Sequence, residues 1–161
     1  MIPHVACAMM TKRDIEPVLL IEKNVFPHPW SRHFFELILS DLNNHVVILR
    51  CGRDVLGYGG YHLLKNRVQF INASQGCRQT IHLINIAVAP HLQRRGFGTF
   101  LMNSLLSHAR YKNAGYCYLE VRPSNQKAFS FYRKCGFSVI GIIENFYPQE
   151  REDALVMGKT L

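Results

Sequence analysis

Gln93-Arg94-Arg95-Gly96-Phe97-Gly98 stands between a strand-like stretch, Ile81 to Val88, and a long helical pattern that begins near Thr99. A glycine-containing turn that opens a helix exposes unpaired backbone N–H groups at the positive end of the helix dipole, so it can hold a phosphate or pyrophosphate. Residues Gln93, Arg94, Arg95, Gly96, Phe97, Gly98 and Thr99 are therefore candidates for gripping a nucleotide-like cofactor. A dinucleotide fingerprint would need a third small residue three places after the second glycine, where Leu101 stands, and a P-loop would need Gly-Lys-Ser/Thr, which is absent. What remains is Q-x-x-G-x-G after Ile86-Ala87-Val88-Ala89-Pro90. By itself that hexapeptide also suits a plain loop-to-helix junction with solvated arginines.

A second set of reactive side chains lies further along. Tyr116, Tyr118 and Glu120 share one face of a strand by alternation, and a carboxylate there is either a solvated strand end or a base. Tyr132 falls one position past the apolar stripe Ala128, Phe131 and Cys135 of a helix, where a tyrosine commonly packs at the edge. Asn125 can supplement that helix's N-cap, and Tyr147, beside Pro148, is an aromatic in the last loop.

These residues need a scaffold. Val5 to Met10 reads as a strand, and Thr11 as the N-cap of a helix through about Asn24, with Asp14 favourable in its first turn. Pro27-His28-Pro29 forces a break, and Ser31 caps a second helix whose Phe34, Phe35, Ile38 and Leu39 recur at helical spacing as core positions. Val46 to Cys51 and Val55 to Leu64 flank Gly52-Arg53-Asp54 as a hairpin. The turn Lys65-Asn66-Arg67, an extended piece from Val68 to Asn72 and a polar stretch from Ala73 to Thr80 lead into the strand Ile81 to Val88.

From Thr99 to about Asn113, Phe100, Leu101, Leu105, Leu106 and Ala109 form a one-sided stripe that Gly115 stops. A strand from Tyr116 to Val121 follows. Pro123 breaks it, Ser124 caps a fourth helix, and Gly136 ends that helix. Phe137 to Ile143 and Ala154 to Met157 supply two last strands around a polar loop. The order predicts a mixed α/β layer fold, its sheet mostly antiparallel and flanked by helices, in one domain spanning the chain.

Composition bounds the rest. A chain of 161 residues is long enough to bury a core without metal or disulfide help. The excess of 19 Lys+Arg over 11 Asp+Glu, a net +8, favours an anionic ligand. The basic residues are scattered with no long run, so direct nucleic-acid binding is not expected. Five cysteines, Cys7, Cys51, Cys77, Cys117 and Cys135, include no C-x-x-C pair and read as reduced thiols, Cys51, Cys117 and Cys135 among apolar neighbours as small hydrophobes. There is no signal-like N-terminus and no apolar stretch of spanning length, which predicts a cytoplasmic protein away from membranes. Eight histidines include no H-E-x-x-H and no zinc spacing with cysteine, so no metal is expected.

The loop resembles the acetyl-CoA-binding motif of the GNAT N-acetyltransferase superfamily. Tyr118-Leu119-Glu120-Val121-Arg122-Pro123-Ser124-Asn125, followed by Phe131-Tyr132-Arg133-Lys134-Cys135-Gly136-Phe137, resembles the second half of a GNAT domain. Together with Ile84-Asn85-Ile86-Ala87-Val88 and Arg151-Glu152-Asp153-Ala154, it is most similar to the bacterial ribosomal-protein-alanine N-acetyltransferases. Phe26-Pro27 and Pro29-Trp30-Ser31 match that subfamily's F-P-W-S segment, interrupted by His28. The resemblance runs from about Lys12 to Met157. It departs between Tyr61 and Thr80, a segment longer than the subfamily's.

The resemblance implies a GNAT-like acyl-CoA N-acyltransferase fold and acetyl-CoA as acetyl donor. It implies Glu120 as general base through a water, Tyr132 as the acid that protonates the departing thiolate, and main-chain groups of Ile86 and Val88 orienting the pantetheine arm. It makes Asn125 a contact to that arm and places Tyr147 in the acceptor groove. The implied acceptor is a protein N-terminus, the favoured one being the N-terminal alanine of a small-subunit ribosomal protein. Amine chemistry agrees with an α-amine. With a pKa of about 8, roughly a tenth is neutral at pH 7, whereas lysine at about 10.4 is neutral in less than about a thousandth. Two other readings keep the fold: a lysine or small-amine acceptor, and a non-enzymatic CoA- or RNA-binding module, against which the presence of both Glu120 and Tyr132 argues.

Overall fold

The computed structural model describes residues 4–64 and 79–161. It runs β1 (Val5–Met9), a 3₁₀ turn (Lys12–Asp14), α1 (Ile15–Val25), α2 (Arg32–Ser40), β2 (Asn44–Cys51), β3 (Asp54–Leu64) and β4 (Gln79–Val88). A second 3₁₀ turn (Pro90–Leu92) precedes α3 (Phe97–Tyr111), β5 (Ala114–Val121), α4 (Gln126–Lys134), β6 (Ser138–Tyr147) and β7 (Glu152–Thr160). The strand order is β1-β2-β3-β4-β5-β7-β6. The pair β4–β5 is parallel, and the pairs β1–β2, β2–β3, β5–β7 and β6–β7 are antiparallel. The mixed, mostly antiparallel α/β architecture expected from the pattern is what forms. The expected turn at Lys65-Asn66-Arg67, the extended piece Val68 to Asn72, most of the polar stretch and Cys77 lie outside the described residues.

The chain divides into two compact units, Met1–Leu63 with Ile84–His108, and Leu64–Leu83 with Ala109–Leu161. In the first, Cys51 pairs with Asp54 across Gly52-Arg53, and Gly52 takes φ 61°, the left-handed conformation a tight hairpin needs. Ile15, Val18 and Ile21 of α1, Phe35 and Ile38 of α2, and Val46, Ile48 and Tyr58 of the strands form one buried cluster with Ala87 and Ala89. The α2 stripe is narrower than expected: Phe34 is 41% exposed and Leu39 only partly buried, because nine residues turn just one row fully inward. Phe34 instead stands edge-on to Trp30, with centroids 4.6 Å apart.

Polar groups fix how these elements begin. Thr11 starts the 3₁₀ turn and α1 continues from it: Asp14 Oδ2 accepts from the Thr11 backbone N–H at 2.8 Å and from its hydroxyl at 2.7 Å. Asp14 Oδ1 accepts from Arg50 at 2.6 Å, so this buried carboxylate is fully engaged. Ser31 Oγ accepts from Phe34 N–H at 3.2 Å and caps α2 as expected.

Glu22 on α1 is a buried carboxylate tied in two directions. Its Oε2 accepts from the Trp30 backbone N–H at 2.8 Å and its Oε1 from Asn85 Nδ2 at 3.0 Å. Asn85 Nδ2 also donates to the Tyr58 hydroxyl at 2.7 Å, and Asn85 Oδ1 accepts from Ile86 N–H at 2.9 Å. One carboxylate thereby holds both the segment before α2 and the middle of β4. Burial raises its pKa, a rise opposed by these two donors.

Helix α3 starts at Phe97, two residues before the expected start near Thr99. Leu101, Met102, Leu105, Leu106 and Ala109 are buried, whereas Phe100 is 49% exposed and its expected core place goes to Met102. Asn113, at φ 65°, takes the left-handed position after the helix. Gly115, read as the stop, lies inside β5.

In the second unit, Gln79 to His82 pair in parallel with Ala114 to Tyr118, and β5 then pairs with β7. The expected strand at Ile81 begins two residues earlier, at Gln79. Asn125, not Ser124, caps α4: its side chain accepts from Ala128 N–H at 3.2 Å, while Ser124 Oγ donates to Glu152 at 2.7 Å. Ala128, Phe131 and Cys135 are only half-buried, so α4 covers its neighbours with a shallow face. Gly136, at φ 87°, ends the helix as expected. Tyr147 closes β6 opposite Glu152 rather than sitting in a loop.

Replacing Glu22 by Gln would turn an amide NH₂ toward Asn85 Nδ2, donor against donor, if its oxygen kept Trp30 N–H. We expect Glu22→Gln to destabilise the fold by about 1–3 kcal/mol, seen as a lower urea midpoint with unchanged slope. An unaltered midpoint would remove this carboxylate from the determinants of the fold. Because folding raises the Glu22 pKa, the group favours the folded state more as pH falls through the window between its folded and ordinary values, so the variant's deficit should widen there.

Candidate active site

The first unit supplies the loop. After Val88, the Ala89 N–H donates to Leu56 O at 2.9 Å and the 3₁₀ turn Pro90–Leu92 redirects the chain. Arg94 at φ 63° and Gly96 at φ 88° are both left-handed, and the first helical hydrogen bond runs from Phe100 N–H to Gly96 O at 3.0 Å. The N–H groups of Phe97, Gly98 and Thr99, at the head of α3, precede any carbonyl four residues back within the helix. Gln93, Arg94, Arg95, Gly96 and Thr99 are exposed, Phe97 and Gly98 half-buried. A Cβ on Gly96 would meet nothing within 4 Å, so glycine serves here for its backbone angle, and the space beside it is open. Exposed arginines, open space beside Gly96 and a helix N-terminus together fit a pyrophosphate.

Two main-chain groups on β4 are already engaged. Ile86 N–H is held by Asn85 Oδ1, and Val88 O accepts from Gln93 Nε2 at 3.0 Å. The Gln93 side chain thus tethers the loop to the strand end.

The second unit brings together more than the sequence suggested. Glu120 Oε2 lies 2.5 Å from His82 Nε2, with side-chain exposures of 12% and 28%. The His82 ring stacks on Tyr118, centroids 4.7 Å apart and planes 8° from parallel. Burial, then the Glu120 charge, pushes the Tyr118 phenol up to about 12. Tyr147 is pushed up to about 12 by burial first and the Glu120 charge second, while Arg122 acts the other way. The Arg122 guanidinium sits 5.7 Å from the Tyr147 ring centroid and donates to Glu150 at 3.0 Å.

Tyr132 lies beside Phe131 and Phe137, with centroids 5.5 and 6.1 Å away. Burial raises its pKa above the ordinary phenol value, which keeps its proton in place until a strong base appears. Asn125 Oδ1 is occupied by the Ala128 cap, leaving its amide NH₂ for any ligand. The structure therefore groups Glu120, Tyr118 and His82 within the second unit, with Tyr147 near enough for Glu120 to perturb it, and groups Gln93 to Thr99 with Ile86 and Val88 within the first.

His82 was missed. It shares a face of β4 with Ile84, Ile86 and Val88 by alternation, but only the register His82↔Tyr118 reveals its nearness to Glu120. Burial raises the Cys117 and Cys135 pKa values, consistent with inert, hydrophobe-like thiols. Among the described residues, no three His, Cys, Asp or Glu side chains are grouped to hold a metal ion.

Known proteins are similar to this chain in sequence and fold. The chain is 32% identical over 155 residues to the N-alpha-acetyltransferase RimI of Mycobacterium tuberculosis, spanning 95% of this chain and 90% of that one. It is 28% identical over 152 residues to the [ribosomal protein bS18]-alanine N-acetyltransferase of Salmonella typhimurium, spanning 93% of each. The ribosomal-protein-S18-alanine N-acetyltransferase of Escherichia coli superposes with a TM-score of 0.79 at 24% identity, covering 98% of this chain and 94% of that one. Arabidopsis thaliana NAA60, solved with acetyl-CoA, superposes at 0.83 and 16% identity, covering 98% and 99%. The sequence pattern of the acetyltransferase (GNAT) family matches residues 15–137, which include the loop, Glu120 and Tyr132, and the chain belongs to that family.

Proposed function

We propose that this protein transfers the acetyl group of acetyl-CoA to the α-amine of a protein N-terminus, with the N-terminal alanine of a small-subunit ribosomal protein as favoured acceptor. The 161 residues act as one domain, in the cytoplasm, where the four described free cysteines stay reduced. The observation that carries the reading is Glu120: a carboxylate only 12% exposed, fixed by a neighbour, on a strand whose other same-face groups are phenols. Relatives named for α-amine and ribosomal-protein acetylation, matched over more than nine-tenths of the chain, support the acceptor class.

Bound at the loop, acetyl-CoA supplies an activated thioester. The backbone N–H groups of Arg95 to Thr99 grip its pyrophosphate, the guanidiniums of Arg94 and Arg95 add charge, and β4 from Ile86 to Val88 guides the arm, with the Asn125 amide contributing a contact. Glu120 takes a proton from the acceptor ammonium, directly or through a water, leaving a nucleophilic amine. As the new amide bond forms and the C–S bond breaks, the Tyr132 hydroxyl gives its proton to the departing sulfur, and the proton lost from the acylated nitrogen passes through water to the Tyr132 oxygen. Its raised pKa keeps that proton available across the physiological range. Tyr147, backed by Arg122, lines the acceptor side.

The gap between amine types, near 3 kcal/mol in the free energy of reaching the neutral form, favours an N-terminal acceptor over lysine. Incubation with alanine-first peptides, N-blocked lysine peptides and small polyamines, read by product mass, should place the acetyl group on the α-nitrogen. Modification confined to lysine or a polyamine would replace this acceptor class.

Glu120→Gln and Tyr132→Phe should each lower kcat by about 10²–10⁴-fold while leaving the circular dichroism spectrum intact. Full turnover in both folded variants would strip these residues of their roles. Gly96→Val forces a β-branched residue into the left-handed region and should weaken acetyl-CoA binding in calorimetry by roughly tenfold or more. Equal affinity would move the pyrophosphate elsewhere.

A further inference from the structure

We propose that His82 is a positioning residue for Glu120, and that the two act as a single base whose strength is switched by the protonation of His82 Nδ1. The proposal rests on the reading of Glu120 as the base and adds to it a second residue and a pH response.

Geometry carries the argument. A separation of 2.5 Å between Nε2 and Oε2 leaves room for one shared proton, so beside an ionised carboxylate Nε2 carries the hydrogen and donates it. Stacking on Tyr118 fixes the plane of the imidazole, and the imidazole fixes the carboxylate. The Glu120 oxygen not held by His82 is then presented to the acceptor in one orientation. A carboxylate on a flexible side chain would otherwise lose rotamer freedom on meeting the amine.

The pair has two charge states while Glu120 is ionised. With Nδ1 unprotonated it carries −1, attracts an ammonium and accepts its proton. With Nδ1 protonated it is neutral overall, and the imidazolium beside the carboxylate lowers its affinity for a further proton. The base is thus stronger above the His82 titration and weaker below it. In the productive state the ammonium proton moves to Glu120, the nitrogen lone pair bonds to the acyl carbon, the C–S pair leaves with sulfur and takes the Tyr132 proton, and the second nitrogen proton passes through water to the Tyr132 oxygen.

Few other groups nearby compete for this role. Among the described residues, β5 presents Tyr118 to His82 and Tyr147 on β6 feels the Glu120 charge, both phenols pushed up to about 12 and so neutral across the working range. Cys117, beside Tyr118, is a buried thiol whose pKa is also raised. Arg122, Glu150 and Glu152 lie around Tyr147, where the carboxylates raise its pKa and the guanidinium lowers it. His82 is the imidazole of this cluster, the side-chain type whose charge can change near neutral pH.

The test is the pH profile of kcat/KM for His82→Gln against wild type on one alanine-first peptide, so that the peptide's own amine contributes equally to both. Gln keeps an N–H donor for Glu120 but does not titrate. The acid limb of its profile should move down by about one pH unit or more. An unmoved limb, whatever the absolute rate, overturns the dyad and leaves His82 a packing residue.

A second readout needs no His82 variant. The His82 imidazole resonance, followed by NMR, should titrate at lower pH in Glu120→Gln than in wild type, because the carboxylate that favours imidazolium is gone. Coincident midpoints overturn the pairing. Inactive Glu120→Gln with an unmoved His82→Gln limb sinks this proposal alone, whereas active Glu120→Gln sinks the reading of the base beneath it.

Discussion

The parallel pairing of Gln79 to His82 with Ala114 to Tyr118 is the constraint on which the rest depends. Parallel neighbours cannot be joined by a two-residue turn, so the chain must travel from the end of β4 back to the start of β5 through a crossover. That crossover is the 3₁₀ turn, the loop Gln93 to Gly96 and α3. A helix that begins just after a strand ends leaves its free N–H groups at that strand's carboxyl end, and the left-handed Arg94 and Gly96 shape the turn between them. The same pairing places His82 beside Tyr118 and so within reach of Glu120.

Among the described residues, two carboxylates are buried and each is held by named partners. Asp14 accepts from Thr11 and Arg50, and Glu22 accepts from Trp30 and Asn85. Burying a carboxylate is unfavourable unless such donors replace water, and burial raises the Glu22 pKa against the pull of its two donors. What the arrangement gains is position: the same carboxylate reaches the segment before α2 and the middle of β4, where apolar packing alone would permit sliding. Gly57 and Gly59 of β3 allow a close approach there, since a Cβ on Gly57 would stand 2.7 Å from Ala87 O and one on Gly59 2.7 Å from a Leu105 methyl.

In the second unit electrostatics are arranged differently. Glu120 is a barely exposed carboxylate whose neighbours are phenols and one imidazole. Phenols with raised pKa values stay neutral, so they pack around the charge without cancelling it. An arginine as partner would hold Glu120 ionised and make it a poor base, and Arg122, two residues on, is instead turned to Glu150 and the Tyr147 ring. The side chain that does meet Glu120 is one whose charge can change near neutral pH.

Local chemistry made much of this legible from residues in order. Ser31 before an apolar 3.6-residue pattern, Gly52-Arg53 between alternating runs, and Gly136 after α4 each act through their immediate neighbours, and each does what its type dictates. Shifts at the ends came where two residues could serve: Asn125 took the cap because Ser124 was drawn to Glu152, and Asn113 ended α3 because one left-handed residue suffices. Phe34 and Phe100 fit their helical stripes yet stand exposed, since periodicity names a face without saying how wide a neighbour covers it. The sequence by itself determined the element order and the presence of a glycine-bearing helix start, a strand carboxylate and a helix phenol. Only the tertiary structure decided that His82 meets Glu120 and that Glu22 reaches Asn85, because 38 and 63 residues separate those pairs and only strand register and helix packing bring them together.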